Sequence, residues 1–133
     1  MKAVASSITK SLEVGSELVC ADNSGARRLK IIGVTSRKTT AGRRSRCGIS
    51  DHVKVKVLKG EQELKGEKHD AVIIRQKQYF KRGNGLRVKF EDNAAVLIES
   101  ETSMPKGNRI KGVVAKEVVE RYSPIGKIAS MVV

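Results

Sequence analysis

The clearest alternation of apolar and charged positions in this chain lies at residues 52–59. Val53, Val55 and Val57 fall on one face of an extended segment, and the lysines between them fall on the other. This two-residue period predicts a β-strand that buries its valine face and exposes its lysine face. The segment is therefore expected to form one wall of a sheet that covers an apolar core.

Apolar runs elsewhere predict a protein built mainly from strands. Valine and isoleucine together occur 26 times and leucine 7 times, and β-branched side chains favour strands. We predict further strands at residues 16–21, 26–34, 72–77, 86–90 and 94–99, a turn at 22–25, and polar loops at 35–50 and 60–70. A closed sheet has no exposed edges, so about five short strands predict a small β-barrel.

The pattern changes after Pro105, where apolar positions recur at helical spacing. Three valines share one face of residues 112–122, which predicts a helix. Pro124 is expected to end that helix, because proline lacks the backbone N–H that a helix interior requires. Residues 124–133 are predicted to form one more short helical turn.

Residues 75–95 predict a two-stranded ribbon with a positively charged tip. Gly83-Asn84-Gly85 in its middle favours a turn, since glycine and asparagine adopt positive φ at little cost. Each arm of about seven residues would span roughly 23 Å, whereas a small barrel strand needs only about five or six residues. We therefore predict that the ribbon projects from the barrel. We predict a single domain, residues 1–133, with the barrel and ribbon at about 6–104 and a helical segment at about 105–133.

The chain carries a large excess of positive charge. Lys and Arg number 27 against 14 Asp and Glu, which gives a formal net charge of +13. Such a charge repels itself and attracts anions, among which nucleic acid fits best. A membrane surface fits less well, because we find neither a basic amphipathic helix nor an apolar stretch of about 18 residues. The first ten residues lack the apolar core of a secretory signal, so we expect a cytoplasmic location.

Basic residues cluster in three places, and these are the candidate contacts for phosphate. The loop carries five cations in ten residues without an acid, and the alternative is that it is simply solvated and mobile. Arginine suits phosphate because its planar guanidinium can donate two hydrogen bonds to one group. The candidates are Arg37, Lys38, Arg43, Arg44 and Arg46 in the loop, Arg27, Arg28 and Lys30 on the second strand, and Arg75, Lys77, Lys81, Arg82, Arg87 and Lys89 on the ribbon.

Two aromatic residues, Tyr79 and Phe80, lie near the tip of the predicted ribbon. They could pack across the ribbon or onto the barrel, or they could stack on an unpaired base. The whole chain has four aromatic residues and no tryptophan, which excludes an extended stacking platform. We therefore expect contacts with RNA to be made mainly to its backbone and shape.

No residue pattern indicates catalysis, a metal or a cofactor. The acid–histidine pairs at 51–52 and 69–70 are sequence neighbours in strands, whose side chains point to opposite faces. The two cysteines form no metal-binding pair. We expect Cys20 to be buried and Cys47 to be exposed, with no disulfide in a reducing cytoplasm. Residues 90–93 are expected to form a bulge or kink where the ribbon rejoins the barrel.

Four segments of the chain resemble the signature blocks of a known family, the universal large-subunit ribosomal protein L14 family. They are ADNSGARRLKIIGV at 21–34, AVIIRQK at 71–77, RVKFEDNAAVLI at 87–98 and GNRIKGVVAKEVVER at 107–121. The blocks occur in the family's order and cover nearly the whole chain. The segments FEDNAA at 90–95 and IASMVV at 128–133 resemble the archaeal and eukaryotic branch of the family more than the bacterial branch.

The resemblance implies a five-stranded β-barrel with a projecting β-ribbon and short C-terminal helices. It implies binding to large-subunit ribosomal RNA, bridges to small-subunit RNA, contact with the neighbouring ribosomal protein L3, and docking of an anti-association initiation factor. By position, the RNA contacts would be Arg43, Arg44 and Arg46 in the loop and Lys81, Arg82, Arg87 and Lys89 on the ribbon, with Arg109 and Lys111 at an intersubunit bridge.

The chain departs from the family's pattern at three positions. Val113 stands where the family usually has proline, which leaves the start of the C-terminal helix less fixed. Ser50 stands where it usually has glycine, so the local backbone could differ. Tyr122 replaces the tryptophan that is usual in this branch.

These observations favour a structural RNA-binding protein of the large ribosomal subunit without catalysis of its own. A free-standing RNA chaperone or translation factor with a small barrel is one alternative, and it would bind single strands alone. An RNA-processing enzyme is another, but it would need a convergent acid, base or metal cluster that the sequence does not supply.

Overall fold

A computed structural model describes residues 2–35 and 39–133. Within those ranges the chain forms twelve strands and two helices. The strands are β1 (Ser6–Ser7), β2 (Leu12–Glu13), β3 (Glu17–Cys20), β4 (Ala26–Val34), β5 (Arg46–Cys47), β6 (His52–Gly60), β7 (Lys68–Arg75), β8 (Phe80–Arg82), β9 (Arg87–Val88), β10 (Ala94–Ile98), β11 (Val113–Val114) and β12 (Met131–Val132), and the helices are α1 (Lys116–Arg121) and α2 (Ser123–Ile128). The predicted class, mainly β with short C-terminal helices, is confirmed.

Five strands close into a barrel in the order β10-β3-β4-β6-β7. β3 and β10 run parallel, and each of the other neighbouring pairs is antiparallel. Closure pairs both edges of the sheet, which satisfies the backbone groups that an open edge would leave free. The strands predicted at 26–34 and 52–59 are found within one residue of their expected ends.

β7 begins four residues earlier than predicted and ends two residues earlier. Lys68 pairs with Lys56 of β6, so charged positions expected in a loop belong to the strand. The chain reverses at residues 61–66, where the N–H groups of Leu64 and Lys65 donate to the Glu61 carbonyl. The polar residues at 68–70 are typical of a loop, so the sequence did not predict a strand there. A strand can carry them because this end of its outer face borders solvent.

The barrel interior is filled by the inward side chains of the alternating strands. Leu29 and Ile31 of β4 meet Val55 and Val57 of β6 in register, and all four are at most 1% exposed. The outward positions between these residues are lysines, Lys30 on β4 and Lys56 on β6. The alternation at 52–59 therefore has the cause that the sequence predicted, a strand with one buried face.

The outer wall of the barrel has two different halves. On β10, and on β7 from Asp70 onward, the outward side chains are also buried, and a second apolar cluster packs against most of them, whereas Lys68 at the start of β7 is exposed. That cluster joins Val72, Ile74 and Val96 of the wall to Val118 of α1 and Ile125 of α2. On β3, β4 and β6 the outward positions are mostly exposed, so this half of the wall faces solvent.

The C-terminal segment differs from the predicted single helix at 112–122. Val113–Val114 forms β11 and pairs in parallel with β12, so α1 begins only at Lys116. The helix ends at Arg121, and Pro124 lies in the first turn of α2, where its missing N–H is not needed. The predicted short second helix is confirmed. The valine at 113 lies in a strand, so the proline usual at this position would not cap α1.

The predicted ribbon is present as a hairpin of β8 and β9 with an exposed tip at residues 83–86. Its arms are shorter than predicted, because Arg75 still pairs with Ala94 inside the barrel and Gln76 is buried. β1 adds a third strand, with Ser6 opposite Arg82 and Ser7 opposite Lys81. β1 was not predicted from the sequence, because two residues are too few to show an alternation of apolar and polar positions.

Candidate nucleic-acid interface

The basic loop is held at its C-terminal end by β5. Cys47 is fully buried and pairs with Leu12 of β2, which fixes the backbone next to Arg46. The side chains of Arg43, Arg44 and Arg46 are exposed. Arg44 lies 3.5 Å from Glu13, but both side chains are largely exposed, so this ion pair is weak. The loop thus presents three available guanidinium groups, and Arg37 and Lys38 lie outside the described residues.

The hairpin tip is organised by its turn residues. The Arg82 N–H donates to the Leu86 carbonyl at 2.9 Å, and the Asn84 side-chain oxygen accepts from the Leu86 N–H at 3.0 Å. Gly85 has a φ of +87°, which glycine adopts without strain. This turn leaves the cations Lys77, Lys81, Arg87 and Lys89 exposed on and beside the hairpin.

Arg75 is not part of this exposed surface, although the sequence placed it among the candidate phosphate contacts. It is 8% exposed, and its guanidinium forms a bidentate pair with Asp92 at 2.8 and 3.1 Å. Its Nη1 donates to the carbonyls of Lys111 and Val113, each at 3.0 Å. The physical reason is that the barrel strand runs through Arg75, so its side chain fastens the C-terminal segment to the wall.

Arg82 also points inward, unlike its neighbour Lys81. Its side chain is 10% exposed, and Nε donates to Glu117 of α1 at 2.8 Å. Its Nη2 donates to Glu117 at 3.3 Å and to the Val133 carbonyl at 2.6 Å. Arg82 therefore fixes the base of the hairpin against the C-terminal segment, and its guanidinium has little left to offer phosphate.

The two aromatic residues of the hairpin have different environments. Phe80 is fully buried in the second apolar cluster, so for this residue the packing interpretation is correct. Tyr79 is 43% exposed, and the Arg87 guanidinium lies 5.2 Å from its ring centroid. A cation over an aromatic face is a favourable contact that orders both side chains near the tip. The stacking of Tyr79 on a base stays a prediction.

A recess of about 610 Å³ brings together residues from four parts of the chain. Arg27 of β4 and Lys111 line it, together with Lys59 and Lys65. The segment containing Lys111 is docked there because the Asn23 side chain accepts from the N–H groups of Asn108 and Arg109 at 3.0 and 3.3 Å. The structure therefore places Lys111 and Arg27 in one recess, and Arg109, two residues before Lys111, is exposed.

Arg28 and Lys30 share the outward face of β4, as predicted. They lie opposite Val19 and Glu17 of β3. Glu17 forms an ion pair with Arg28 at 3.1 Å, and both side chains are about half exposed. The Glu17 carboxylate partly offsets the positive charge of Arg28. Lys30 is exposed and forms no ion pair within the described residues.

Asp51 has a structural role that the sequence did not indicate. Its carboxylate is almost completely buried and accepts from Lys10 Nζ at 2.7 Å and from the Gly48 N–H at 2.8 Å. Arg121 lies 3.7 Å away and also donates to Ser50 Oγ at 3.1 Å. Ser50 has a φ of +66°, so the backbone keeps a left-handed conformation that glycine would adopt more easily.

The two cysteines are free and buried, so the expectation that Cys47 is exposed is wrong. Burial raises the pKa of the Cys20 thiol to about 12, with a further contribution from the nearby carboxylate of Asp22. Burial likewise raises the pKa of the Cys47 thiol to about 12, helped by Asp51. Neither thiol is a nucleophile near neutral pH, because the reactive thiolate is disfavoured.

The segment at 90–93 turns the chain from the hairpin into the barrel. Asn93 accepts from the Lys77 N–H through its side chain at 2.8 Å, and its carbonyl accepts from the Val19 N–H at 2.9 Å. The pairing of β10 with β7 shifts register directly afterwards, between Ala94 and Ala95. The predicted irregularity at this junction is confirmed, and Asp92 within it is the partner of Arg75.

The described residues hold no cluster of three or more His, Cys, Asp or Glu side chains that could bind a metal ion. The acid–histidine neighbours are separated as expected, since Asp51 binds Lys10 while His52 lies 3.4 Å from Asp70 on the next strand. Burial and the nearby Lys106 lower the pKa of His69. Both helices in the described ranges are too short to cross a membrane.

Comparison with known proteins gives consistent matches along the whole chain. A family model described as ribosomal protein L14p/L23e matches residues 11–133. The large ribosomal subunit protein uL14 of Halorubrum lacusprofundi is 46% identical over 133 residues, which cover all of both chains. Proteins with the same description from Methanococcus vannielii and Methanothrix thermoacetophila are 45% and 47% identical, over 99% and 95% of each chain.

Proposed function

We propose, because this chain belongs to the ribosomal protein L14p/L23e family, that it is a structural constituent of the large ribosomal subunit and binds ribosomal RNA there. Its relatives are described as large-subunit proteins, which supports this assignment. The proposed location is accordingly the cytoplasm, within the large subunit. We do not propose a catalytic activity, since the family is one of ribosomal proteins. In this proposal the barrel holds the basic residues in fixed positions.

The proposal rests on one observation: a closed, well-packed barrel carries a loop and a hairpin whose basic side chains are exposed. In the described residues the basic loop and the hairpin leave seven cations exposed on the surface of a closed barrel, and among these seven Arg44 has an ion-pair partner, the largely exposed Glu13; the seven are Arg43, Arg44, Arg46, Lys77, Lys81, Arg87 and Lys89. Positively charged side chains that are not paired within the protein bind phosphate by displacing the counterions of RNA. If about eight phosphates are contacted, the log–log dependence of affinity on salt should have a slope of about −7.

The recess between Arg27 and Lys111 supports a second contact region. Arg109 and Lys111 are exposed, and the Asn23–Asn108 contacts hold their segment against the barrel. We propose that this edge takes part in the subunit interface and in bridges to small-subunit RNA. Ribosomal protein L3 and an anti-association initiation factor are the proposed protein neighbours, on the strength of the family resemblance.

The experiment that tests this function compares two triple variants in binding to large subunits. Arg43→Ala, Arg44→Ala and Arg46→Ala together remove three exposed cations of the loop. Lys2→Ala, Lys116→Ala and Lys127→Ala remove the same charge from exposed positions outside the loop and hairpin. We expect the loop variant to dissociate from large subunits at lower salt than the wild type, because three phosphate contacts are lost. The control variant should behave like the wild type.

Co-sedimentation with large subunits through washes of increasing salt provides the measurement, and circular dichroism checks that both variants are folded. A wild-type protein that never sediments with large subunits would refute the proposed function. A loop variant that is retained as well as the control would remove the loop from the RNA contacts. An RNA chaperone would instead bind single strands and dissociate readily from the particle.

A further inference from the structure

Three lysines form a row across the open half of the barrel wall. Lys30 of β4 lies directly opposite Lys56 of β6, and Lys56 lies directly opposite Lys68 of β7. All three side chains are exposed. We call this row the lysine ladder. Only Lys30 among its members was suspected from the sequence, because the other two become neighbours only when the strands pair.

The ladder is unfavourable for the isolated protein. Directly opposed residues on one face of a sheet have Cβ atoms about 4.5 to 5.5 Å apart, and like charges at such positions are destabilising. Lys56 has a like charge on both sides, which is the least favourable arrangement that a three-stranded row can make. The isolated protein therefore gains no stability from this alignment of cations.

The acids next to the ladder form their ion pairs with other cations. Glu17 lies opposite Lys30, but its carboxylate pairs with Arg28 at 3.1 Å. Asp70 follows Lys68 by two residues on the same face, but it pairs with Lys54 at 3.1 Å and is 7% exposed. In the part of the chain that the structure describes, no carboxylate forms an ion pair with Lys30, Lys56 or Lys68.

We propose that the lysine ladder is a further phosphate-binding tract, which lies against the backbone of ribosomal RNA on the open wall of the barrel. The inference rests on the proposed function for the identity of its ligand, and it adds a surface on elements other than the loop and the hairpin. Neighbouring strands are about 4.8 Å apart, so the three ammonium groups can follow a stretch of backbone roughly 10 Å long.

RNA fits this surface better than an acidic protein does. The centres of protein interfaces are enriched in aromatic residues and arginine and are depleted of lysine. The ladder has lysine at each of its three positions, and a lysine ammonium binds phosphate as a compact point charge without a fixed orientation. Such contacts provide affinity and placement without reading a base sequence.

The first test measures binding to protein-free large-subunit ribosomal RNA. The ladder variant carries Lys30→Gln, Lys56→Gln and Lys68→Gln, and the control carries Lys2→Gln, Lys116→Gln and Lys127→Gln. We expect the ladder variant to reduce the steepness of the log–log salt dependence by about 2 to 3, at 0.7 to 0.9 per lost phosphate contact. Its thermal unfolding midpoint should equal or exceed that of the wild type, because the repulsion within the row is relieved.

A ladder variant with the same salt dependence as the control would overturn the inference, even if the loop variant behaves as expected. A wild type that does not bind the RNA would overturn the proposed function as well, which separates the two failures. A lowered unfolding midpoint would assign the ladder a structural role and would also count against the inference.

The second test identifies what lies against the ladder in the assembled particle. Lys56→Cys introduces an exposed thiol, and it can be labelled selectively with a photoactivatable crosslinker because Cys20 and Cys47 are buried. After reassembly into large subunits, we expect crosslinks to ribosomal RNA. Crosslinks mainly to a protein would favour an acidic protein partner and overturn the inference, and so would the absence of crosslinks.

Discussion

Glu117 joins three separate segments of the chain through one buried carboxylate. Its Oε1 accepts from Ser6 Oγ at 2.9 Å and from Arg82 Nε at 2.8 Å, and its side chain is fully buried. The N-terminal strand, the hairpin and α1 therefore meet at one ion pair. A buried pair of this kind makes the relative placement of its segments specific, because any displacement leaves a charge without a partner.

Replacing Glu117 by alanine should destabilise the protein by about 3 to 5 kcal/mol, since Arg82 would keep a largely buried charge without its partner. Glu120→Ala provides the control, because Glu120 is exposed on the same helix and its loss should cost no more than about 0.5 kcal/mol. Urea unfolding measures both values. A loss of about 1 kcal/mol or less for Glu117→Ala would show that the pair behaves like a surface pair.

The buried thiols predict a loss of stability in alkaline solution. The pKa of Cys20 and of Cys47 is about 12 in the folded protein against an ordinary value of 9.0. Between these values the unfolded chain releases protons that the folded protein retains, so the free energy of unfolding falls as the pH rises above 9. We expect the wild type to lose more stability between pH 8 and pH 10 than a Cys20→Ala, Cys47→Ala variant. Urea unfolding at the two pH values measures this, and equal losses would contradict it.

At this scale the sequence distinguishes charged from apolar residues but does not show which cations are free. Arg75 and Lys77 are two residues apart in one basic run, yet Arg75 is buried against Asp92 and Lys77 is exposed. The difference arises because the barrel strand ends between them. The buried partners Asp92 and Glu117 come from other segments, so no local pattern could reveal them.

At the scale of elements, the hairpin combines a fixed base with a free tip. β1 pairs with β8 at the base, and Arg82 holds the same region to α1. The tip at 83–86 is exposed, and within the part of the chain that the structure describes it makes only its own turn hydrogen bonds. An element of this kind can place its cations near RNA while the tip still adjusts to the surface that it meets.

Amide hydrogen exchange on the free protein should show this division. We expect the tip at 83–86 to exchange rapidly, because its N–H groups are open to water apart from the turn bonds. Val72 and Ile73 in the middle of β7 should exchange slowly, since both are fully buried and paired within the barrel. Protection at the tip equal to that of β7 would mean that the tip is packed down in solution.

Elements with a clear period were predictable, and the two-residue strands were not. β4 and β6 follow from alternation that extends over nine residues each. β2 and β5 contain two residues each, and their pairing is set by the contact of Leu12 with Cys47 across 35 residues of sequence. The same pairing buries Cys47, which is why its position beside a basic loop was misleading.

For the whole molecule, folding separates the two signs of charge. Four of the 14 acids are buried, namely Asp22, Asp51, Asp70 and Glu117, whereas Arg75 is the one buried cation in the described ranges. The surface is therefore more positive than the net charge of +13 indicates. This arrangement costs stability through self-repulsion and increases the attraction for a polyanion.

The barrel and the family were both predictable at this scale, because alternation and signature blocks extend over most of the chain. The division of the barrel wall was not. It depends on where α1 and α2 pack, and that placement covers the outward faces of β10 and of β7 from Val72 onward while it leaves β4, β6 and the start of β7 open. The lysine ladder exists only because this open half brings distant lysines into register.

The parallel pairing that closes the barrel has a consequence for synthesis of the chain. Val19 of β3 is paired with Ala94 of β10, so the early strand must wait for about 75 further residues before its partner exists. At ~5 to 20 residues per second this interval is roughly 4 to 15 s. Throughout it, β3 can pair with β4 but its other edge has no partner, so that edge and the apolar face of the incomplete sheet are accessible to chaperones and to neighbouring chains.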